Sequence, residues 1–192
     1  MIKTPIPKFE ALKIVKGRRK EISAFELKNK TSSIIERLAN ADDFIYADKI
    51  FMYLSTIPEI VDTRTLIEYA LGCGKSVFLP KQESSGELRR FQLNSFDELV
   101  IDSDGFYAPR LGIEEDLSDI DLIIVPCAAV SLFGQLVGYG KVNYNMILRN
   151  NFSVKYVLAF EFQIFHRIEY EKRDLLIDRI ISERRIINTR EN

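Results

Sequence analysis

The sequence predicts an α/β domain built on a parallel sheet. Three observations carry that prediction. Helix-period and strand-period segments alternate along the N-terminal half. The run DLIIVP at residues 121–126 holds four consecutive apolar residues between Asp121 and Pro126, the pattern of a strand buried on both faces. At 192 residues, the chain is long enough to bury such a sheet in one domain, with a radius of gyration of roughly 16 Å.

The elements follow in order. Residues 8–20 read as a basic helix, with Phe9, Leu12 and Val15 at helical spacing and Gly17 weakening its end. Ser23 with Glu26 forms a capping-box pattern and opens a second helix, in which Phe25, Ile34, Ile35 and Leu38 are expected to share one face. Residues 49–55 (KIFMYLS) read as a buried strand. Asp62 or Thr63 caps a helix running to Gly72, with Leu66, Ile67, Tyr69 and Ala70 expected inside. Residues 76–80 (SVFLP) are a second strand. Residues 82–88 read as a polar turn, 89–93 as a strand, 96–99 as a helical turn and 102–112 as an ordered loop. After the central strand come a glycine-rich segment at 133–141, a short helix at 144–148 and a strand at 155–160. A strand or helix at 176–181 and an edge strand at 185–188 complete the chain. No repeat, low-complexity tract or linker divides it, so residues 1–192 are expected to form a single domain.

Scarce residues exclude whole classes of chemistry. With one His, a zinc site built on several histidines is impossible. Two Cys give no disulfide framework, and together with the absence of an apolar signal core they predict a cytoplasmic protein. A net charge of −1 gives no general attraction to nucleic acid or to an anionic membrane. His166, in an apolar stretch, reads as a packed or loop-facing residue. Cys127, at the end of a buried strand, reads as a small hydrophobe.

One segment points to a ligand. Gly134-Gln135-Leu136-Val137-Gly138-Tyr139-Gly140-Lys141 follows the central strand and precedes a helical segment. Open α/β sheets bind ligands at the carboxyl ends of their strands. Glycines let backbone N–H groups approach an anion, and a Lys adds a point charge, a combination that suits phosphates. The segment is not a Walker A loop, because neither Ser nor Thr follows Lys141. A glycine-rich turn with an exposed Lys accounts for the same residues.

From Lys8 onward the chain resembles the 5-formyltetrahydrofolate cyclo-ligase (5,10-methenyltetrahydrofolate synthetase) family. The resemblance rests on Lys8 with the RRKEIS stretch, Tyr53-Leu54-Ser55 with Glu59, Asp62-Thr63-Arg64, Arg90-Phe91, DLIIVP, Gly138-Tyr139-Gly140-Lys141 with Tyr144, Leu158-Ala159-Phe160 with Gln163, and Asp174 with Asp178. It implies a three-layer sandwich with a central, mostly parallel sheet flanked by helices, of the NagB/RpiA/CoA-transferase-like type. It also implies an enzyme that uses ATP and Mg²⁺ to cyclise 5-formyltetrahydrofolate to 5,10-methenyltetrahydrofolate. In that reaction the formyl oxygen attacks the γ-phosphate, N10 closes the ring and phosphate leaves. The residue roles it implies are catalysis by Lys141, nucleotide binding by Lys8, Gly138, Tyr139, Gly140, Lys141 and Tyr144, folate binding by Glu59 and Tyr144, and a magnesium ligand in Asp178. The partner is then a small-molecule folate, with no nucleic acid or membrane, and a monomer is the default expectation.

The chain departs from the family pattern near this loop. Leu136 stands for an Arg, Val142 for a Gly, Asn145 for an Asp, Ser131 for an Asp, Cys127 for a Gly and Ala108 for a Glu. These departures define an alternative: a diverged member, catalytically weak or inactive, that binds nucleotide or folate on the same fold.

Overall fold

The computed structural model describes residues 4–82, 88–101, 105–110, 119–138, 144, 153–171, 174 and 176–191. Four α-helices lie among them: α1 (Lys8–Lys20), α2 (Ala24–Ala39), α3 (Asp42–Ile45) and α4 (Arg64–Gly72). The strands are β1 (Lys49–Phe51), β2 (Ser76–Gln82), β3 (Leu88–Gln92), β4 (Leu99–Ile101), β5 (Tyr107–Pro109), β6 (Leu122–Pro126), β7 (Ala129–Ser131), β8 (Leu136–Val137), β9 (Val154–Leu158), β10 (Ile164–Phe165), β11 (Arg179–Ile181) and β12 (Ile186–Asn188).

The main sheet has seven strands in the order β12-β11-β9-β6-β1-β2-β3. Its inner strands are parallel, and the two edge strands run antiparallel to their neighbours. Successive residues of a strand point to opposite faces, and the core divides accordingly. Ile50, Val77, Leu122, Ile124, Tyr156, Leu158 and Ile181 pack with Ile34, Leu38, Leu66 and Ile67 of α2 and α4 on one face. Phe51, Phe78, Ile123, Val125, Val157 and Ile180 pack with Val130, Leu136 and Tyr144 on the other. The predicted, mostly parallel sheet with covered faces is therefore the one observed.

The strand at 121–126 is central, as its composition requires. Asp121 also fixes its neighbour: its Oδ2 accepts hydrogen bonds from the backbone N–H groups of Asp48 and Lys49, each at 2.9 Å, where β1 begins. Ser23 caps α2 as expected, its Oγ accepting from the Glu26 N–H at 3.1 Å. The segment at 176–181, open between strand and helix, ends as β11, and residues 186–188 form the antiparallel edge strand β12.

Several expectations change. Phe25 is 75% exposed. It lies nine residues before Ile34 and so about 180° away around the helix, on the solvent face. Phe9 is 73% exposed, and Ala11 instead joins Val15 in the buried face of α1. Tyr69 is 51% exposed and stacks on Phe44 with ring centroids 6.2 Å apart. The strand expected at 49–55 leaves the main ladder after Phe51. Its buried continuation pairs with the segment after Gly105, through the Tyr107 N–H to Leu54 O at 2.8 Å and the Thr56 N–H to Gly105 O at 2.8 Å. The loop expected at 102–112 thus contains β5, paired with β4. Most of the polar turn at 82–88 and the helix at 145–148 lie outside the described residues.

A second, three-stranded sheet has the order β10-β7-β8. It is the platform for α1, whose Ala11 and Val15 pack on Ala129, Val137 and Ile168. The turn joining β7 to β8 requires Gly134. Its φ is +79°, and a Cβ there would lie 2.4 Å from the Ile177 carbonyl oxygen. Gly134→Ala is expected to destabilise the fold by about 2 kcal/mol or more, through backbone strain and the clash together. Gly17→Ala in α1 meets nothing within 4 Å among the described residues, and should stabilise by about 0.5–1 kcal/mol. Urea unfolding midpoints of the two variants check both signs.

Candidate functional site

The carboxyl ends of the parallel strands gather two of the segments that the sequence singles out, the one bearing Glu59 and the one leading to Gly138. After β1 the chain enters residues 52–63, which carry Glu59 on a turn closed by the Ile60 N–H to Ile57 O at 3.1 Å. This loop is pinned from within. The buried Thr63 hydroxyl donates to Tyr53 O, and the Tyr53 hydroxyl donates to Val61 O at 2.9 Å. Glu59 itself is half-buried. Beside its turn, a hollow of about 450 Å³ opens between α2 and residues 55–62, lined by Lys28, Thr31, Ser55, Thr56 and Pro58 among others.

After β6 the chain folds back over one face of the sheet as β7 and returns as β8. The Ala128 N–H donates to Val137 O at 2.8 Å, so Gly138 emerges beside the carboxyl end of β6. That is where a phosphate-holding loop is expected on this kind of sheet. Gly138 is exposed. Tyr139, Gly140 and Lys141 lie outside the described residues.

Gln163 joins these two segments. It is fully buried, and its Nε2 donates to Glu59 O at 3.2 Å, Cys127 O at 3.1 Å and Ala128 O at 3.3 Å. Its Oε1 accepts from the Phe160 N–H at 2.9 Å. Sequence reasoning used Gln163 only as part of the family resemblance. A lone Gln in a stretch of aromatic residues gives no signal of such a role.

The other candidates make contacts of their own. Lys8 opens α1, and its Nζ pairs with Asp174 Oδ2 at 2.5 Å, beside a hollow of about 660 Å³ lined by Phe9, Glu169, Tyr170 and Glu171. Tyr144 is buried on the sheet face covered by β7, its ring edge-on to Phe51 with centroids 6.5 Å apart. Asp178 precedes β11 and so lies at the amino ends of the strands. Its Oδ2 accepts from the Lys155 N–H at 2.9 Å, and its Oδ1 is ion-paired with Arg190. The structure therefore brings Glu59 and Gly138 to one end of the sheet and leaves Asp178 at the other. Among the described residues, no group of three or more His, Cys, Asp or Glu is placed to hold a metal.

Several departures from the family pattern have local explanations. Ser131 is fully buried and makes the turn after β7. Its Oγ donates to Gln135 Oε1 and accepts from the Phe133 and Gln135 N–H groups at 3.2 Å each, the turn-forming role that Asp also fills. Ala108 is buried in β5, and Leu136 packs on the cluster around Val125. The Cys127 thiol is buried and pushed well above its ordinary pKa by desolvation, which leaves it protonated and unreactive. Val142 and Asn145 lie outside the described residues. His166 is exposed and meets Phe133 edge-on at 5.7 Å.

The short 3-10 turn Glu161–Gln163 is anchored by charge. Glu161 accepts from Ser182 Oγ at 2.5 Å and from Arg185 Nε and Nη2 at 3.1 and 3.2 Å. Burial alone would raise its pKa, but these hydrogen bonds outweigh burial and hold the carboxyl below its ordinary value. A depressed carboxylate pKa stabilises the fold above the unfolded-state value, and that contribution is lost as pH falls through the folded one. Glu161→Gln should therefore be less stable than the parent at pH 7, with the gap closing below about pH 4. Urea midpoints at pH 7, 5, 4 and 3 test this, and a gap that does not change with pH would refute it.

Comparison with known proteins gives a consistent result. A model of the 5-formyltetrahydrofolate cyclo-ligase family matches residues 10–183. The 5-formyltetrahydrofolate cyclo-ligase of Escherichia coli K12 is 24% identical, over 90% of this chain and 98% of its own length. A probable 5-formyltetrahydrofolate cyclo-ligase of Caenorhabditis elegans is 27% identical, over 92% of each chain. The solved structure of Aquifex aeolicus 5,10-methenyltetrahydrofolate synthetase superposes with a TM-score of 0.84 at 27% identity, covering 96% of this chain and 94% of that one. The Mycoplasma pneumoniae synthetase, at 17% identity and a TM-score of 0.73, shares the fold. The chain belongs to the 5-formyltetrahydrofolate cyclo-ligase family.

Proposed function

We propose that this chain is an ATP-dependent 5-formyltetrahydrofolate cyclo-ligase of the cytoplasm. The observation that carries the proposal is the family match over residues 10–183. The meeting of the Glu59 turn and the start of the glycine loop at the carboxyl ends of the sheet supports it. In this reading the formyl oxygen of the folate attacks the γ-phosphate of ATP, N10 closes the five-membered ring, and phosphate departs with the formyl oxygen.

This chemistry asks the protein for position and charge rather than for a nucleophile. A chain with one His and a protonated, buried Cys127 is suited to it. Lys141 supplies positive charge to the transferred phosphate, with backbone donors from Gly138, Tyr139 and Gly140. Glu59 hydrogen-bonds the folate head group from its pinned turn. Lys8 serves the nucleotide phosphates by exchanging Asp174 for them.

Mg²⁺ neutralises phosphate charge when it accompanies the nucleotide. It is commonly held by only one or two carboxylates together with phosphate oxygens and water. Asp178, at the amino ends of the strands and paired with Arg190, lies at the opposite end of the sheet from Gly138. As folded, it ties β11 to β9.

Purified protein given Mg-ATP and 5-formyltetrahydrofolate should produce the methenyl chromophore. Lys141→Ala should lower kcat/KM by about a hundredfold or more. Val142 and Asn145 favour the second reading, a nucleotide- or folate-binding protein without turnover, because they take a glycine and a carboxylate from the loop. Calorimetry that detects either ligand while no product forms supports that reading. Absence of both turnover and binding overturns both.

A further inference from the structure

We propose that Gln163 is a positioning residue that couples the folate-side turn to the nucleotide loop, so that each substrate organises the site for the other. The inference rests on the cyclo-ligase reading. A single side-chain amide donates to three carbonyls from two segments distant in sequence, at Glu59 on one side and at Cys127 and Ala128 on the other.

The amide's orientation is determined. Its oxygen accepts from the Phe160 N–H, and the reverse orientation would set an oxygen against three carbonyl oxygens. The link continues in both directions. Glu59 belongs to the turn bearing the proposed folate contact. Ala128 donates through its own N–H to Val137 O, one residue before Gly138.

The same turn also grips the N-terminal helix. Arg18 Nη1 donates to Phe162 O at 3.0 Å, and the Arg18 guanidinium lies over the Phe165 ring. Thus the helix bearing Lys8, the turn bearing Glu59 and strand β7, which pairs with the β8 strand leading to Gly138, all meet residues 160–165. Two amide hydrogens shared by three acceptors form a junction that a small shift on either side weakens. Such a junction gives the two segments a shared physical contact, which coupling between their sites would act through.

Two variants at this position test the inference. Gln163→Glu keeps the size and the acceptor for the Phe160 N–H but loses the donor. Gln163→Met keeps the size and loses both. Both should raise KM for ATP and for 5-formyltetrahydrofolate together, with kcat/KM falling on the order of tenfold or more for each. Both should also reduce the factor by which a non-hydrolysable ATP analogue tightens folate binding.

The pH profile separates positioning from mere packing. In Gln163→Glu the new carboxyl is buried against carbonyl oxygens, an environment that favours its protonated form as pH falls. A protonated carboxyl regains one O–H donor. The ratio of Gln163→Glu to parent activity should therefore rise from pH 8 to pH 5.5, while the Gln163→Met ratio stays flat. Neighbouring Glu161 titrates below this window and Cys127 above it, so neither supplies that slope.

Variants that leave both KM values and the binding coupling unchanged, or that move only one KM, overturn the inference, as does a flat Gln163→Glu ratio. If the parent protein neither turns over nor binds the two ligands, the cyclo-ligase reading fails and the inference with it. That result is distinct from a working parent enzyme indifferent to Gln163.

Discussion

The strand Leu122–Pro126 is buried on both faces, and the rest of the architecture answers to that burial. A parallel strand without an exposed face needs cover above and below. On one face α2 and α4 provide it. On the other, the chain that leaves β6 turns back across the sheet as β7 and β8, placing Val130 and Leu136 over Val125. The segment that covers the core is therefore also the one that delivers Gly138 to the carboxyl end of the sheet. Gly134 makes this possible, because no side chain fits against Ile177 at that turn.

Satisfying the backbone at the ends of these strands imposes a second constraint. Carbonyls that leave a ladder inside the protein need donors. Cys127, Ala128 and Glu59 find theirs in Gln163, while Tyr53 O finds its donor in Thr63. At the opposite end, Asp121 and Asp178 do the converse work and accept backbone N–H groups where β1 and β9 begin. Acidic residues thus close the amino ends of the sheet, and a neutral amide closes the carboxyl end.

The departures from the family pattern divide along the same lines. Ser131, Ala108, Leu136 and Cys127 are turn-forming or packed residues, consistent with the fold keeping its shape through other side chains. Val142 and Asn145 lie outside the described residues.

Periodicity and apolar composition gave a sound outline of helices and strands, because burial on a face leaves a repeat that can be read. DLIIVP and the edge strand at 185–188 are legible as apolar segments, and the start of α2 as a Ser23–Glu26 capping pattern. Phe25 and Tyr69 were misplaced because an aromatic residue near an apolar stripe looks buried until its angle on the helix is followed. β5, β7 and β8 were missed because strands of two or three residues are too short to show a period. Gly134, read as part of a phosphate loop, is held by packing instead.

The sequence by itself determined the fold class, the two-faced burial of the central strand and the family, because each is encoded in local pattern or in a string of residues. Only the tertiary structure decided which of those residues meet. Glu59, Ala128 and Gln163 are far apart in the chain, and Gln163 carries no periodic or charge signal. Their junction exists because a buried carbonyl must find a donor wherever folding leaves it. Strand direction separates Asp178 from Gly138: parallel strands begin at one end of the sheet and finish at the other, and a residue's number does not say at which end it will lie.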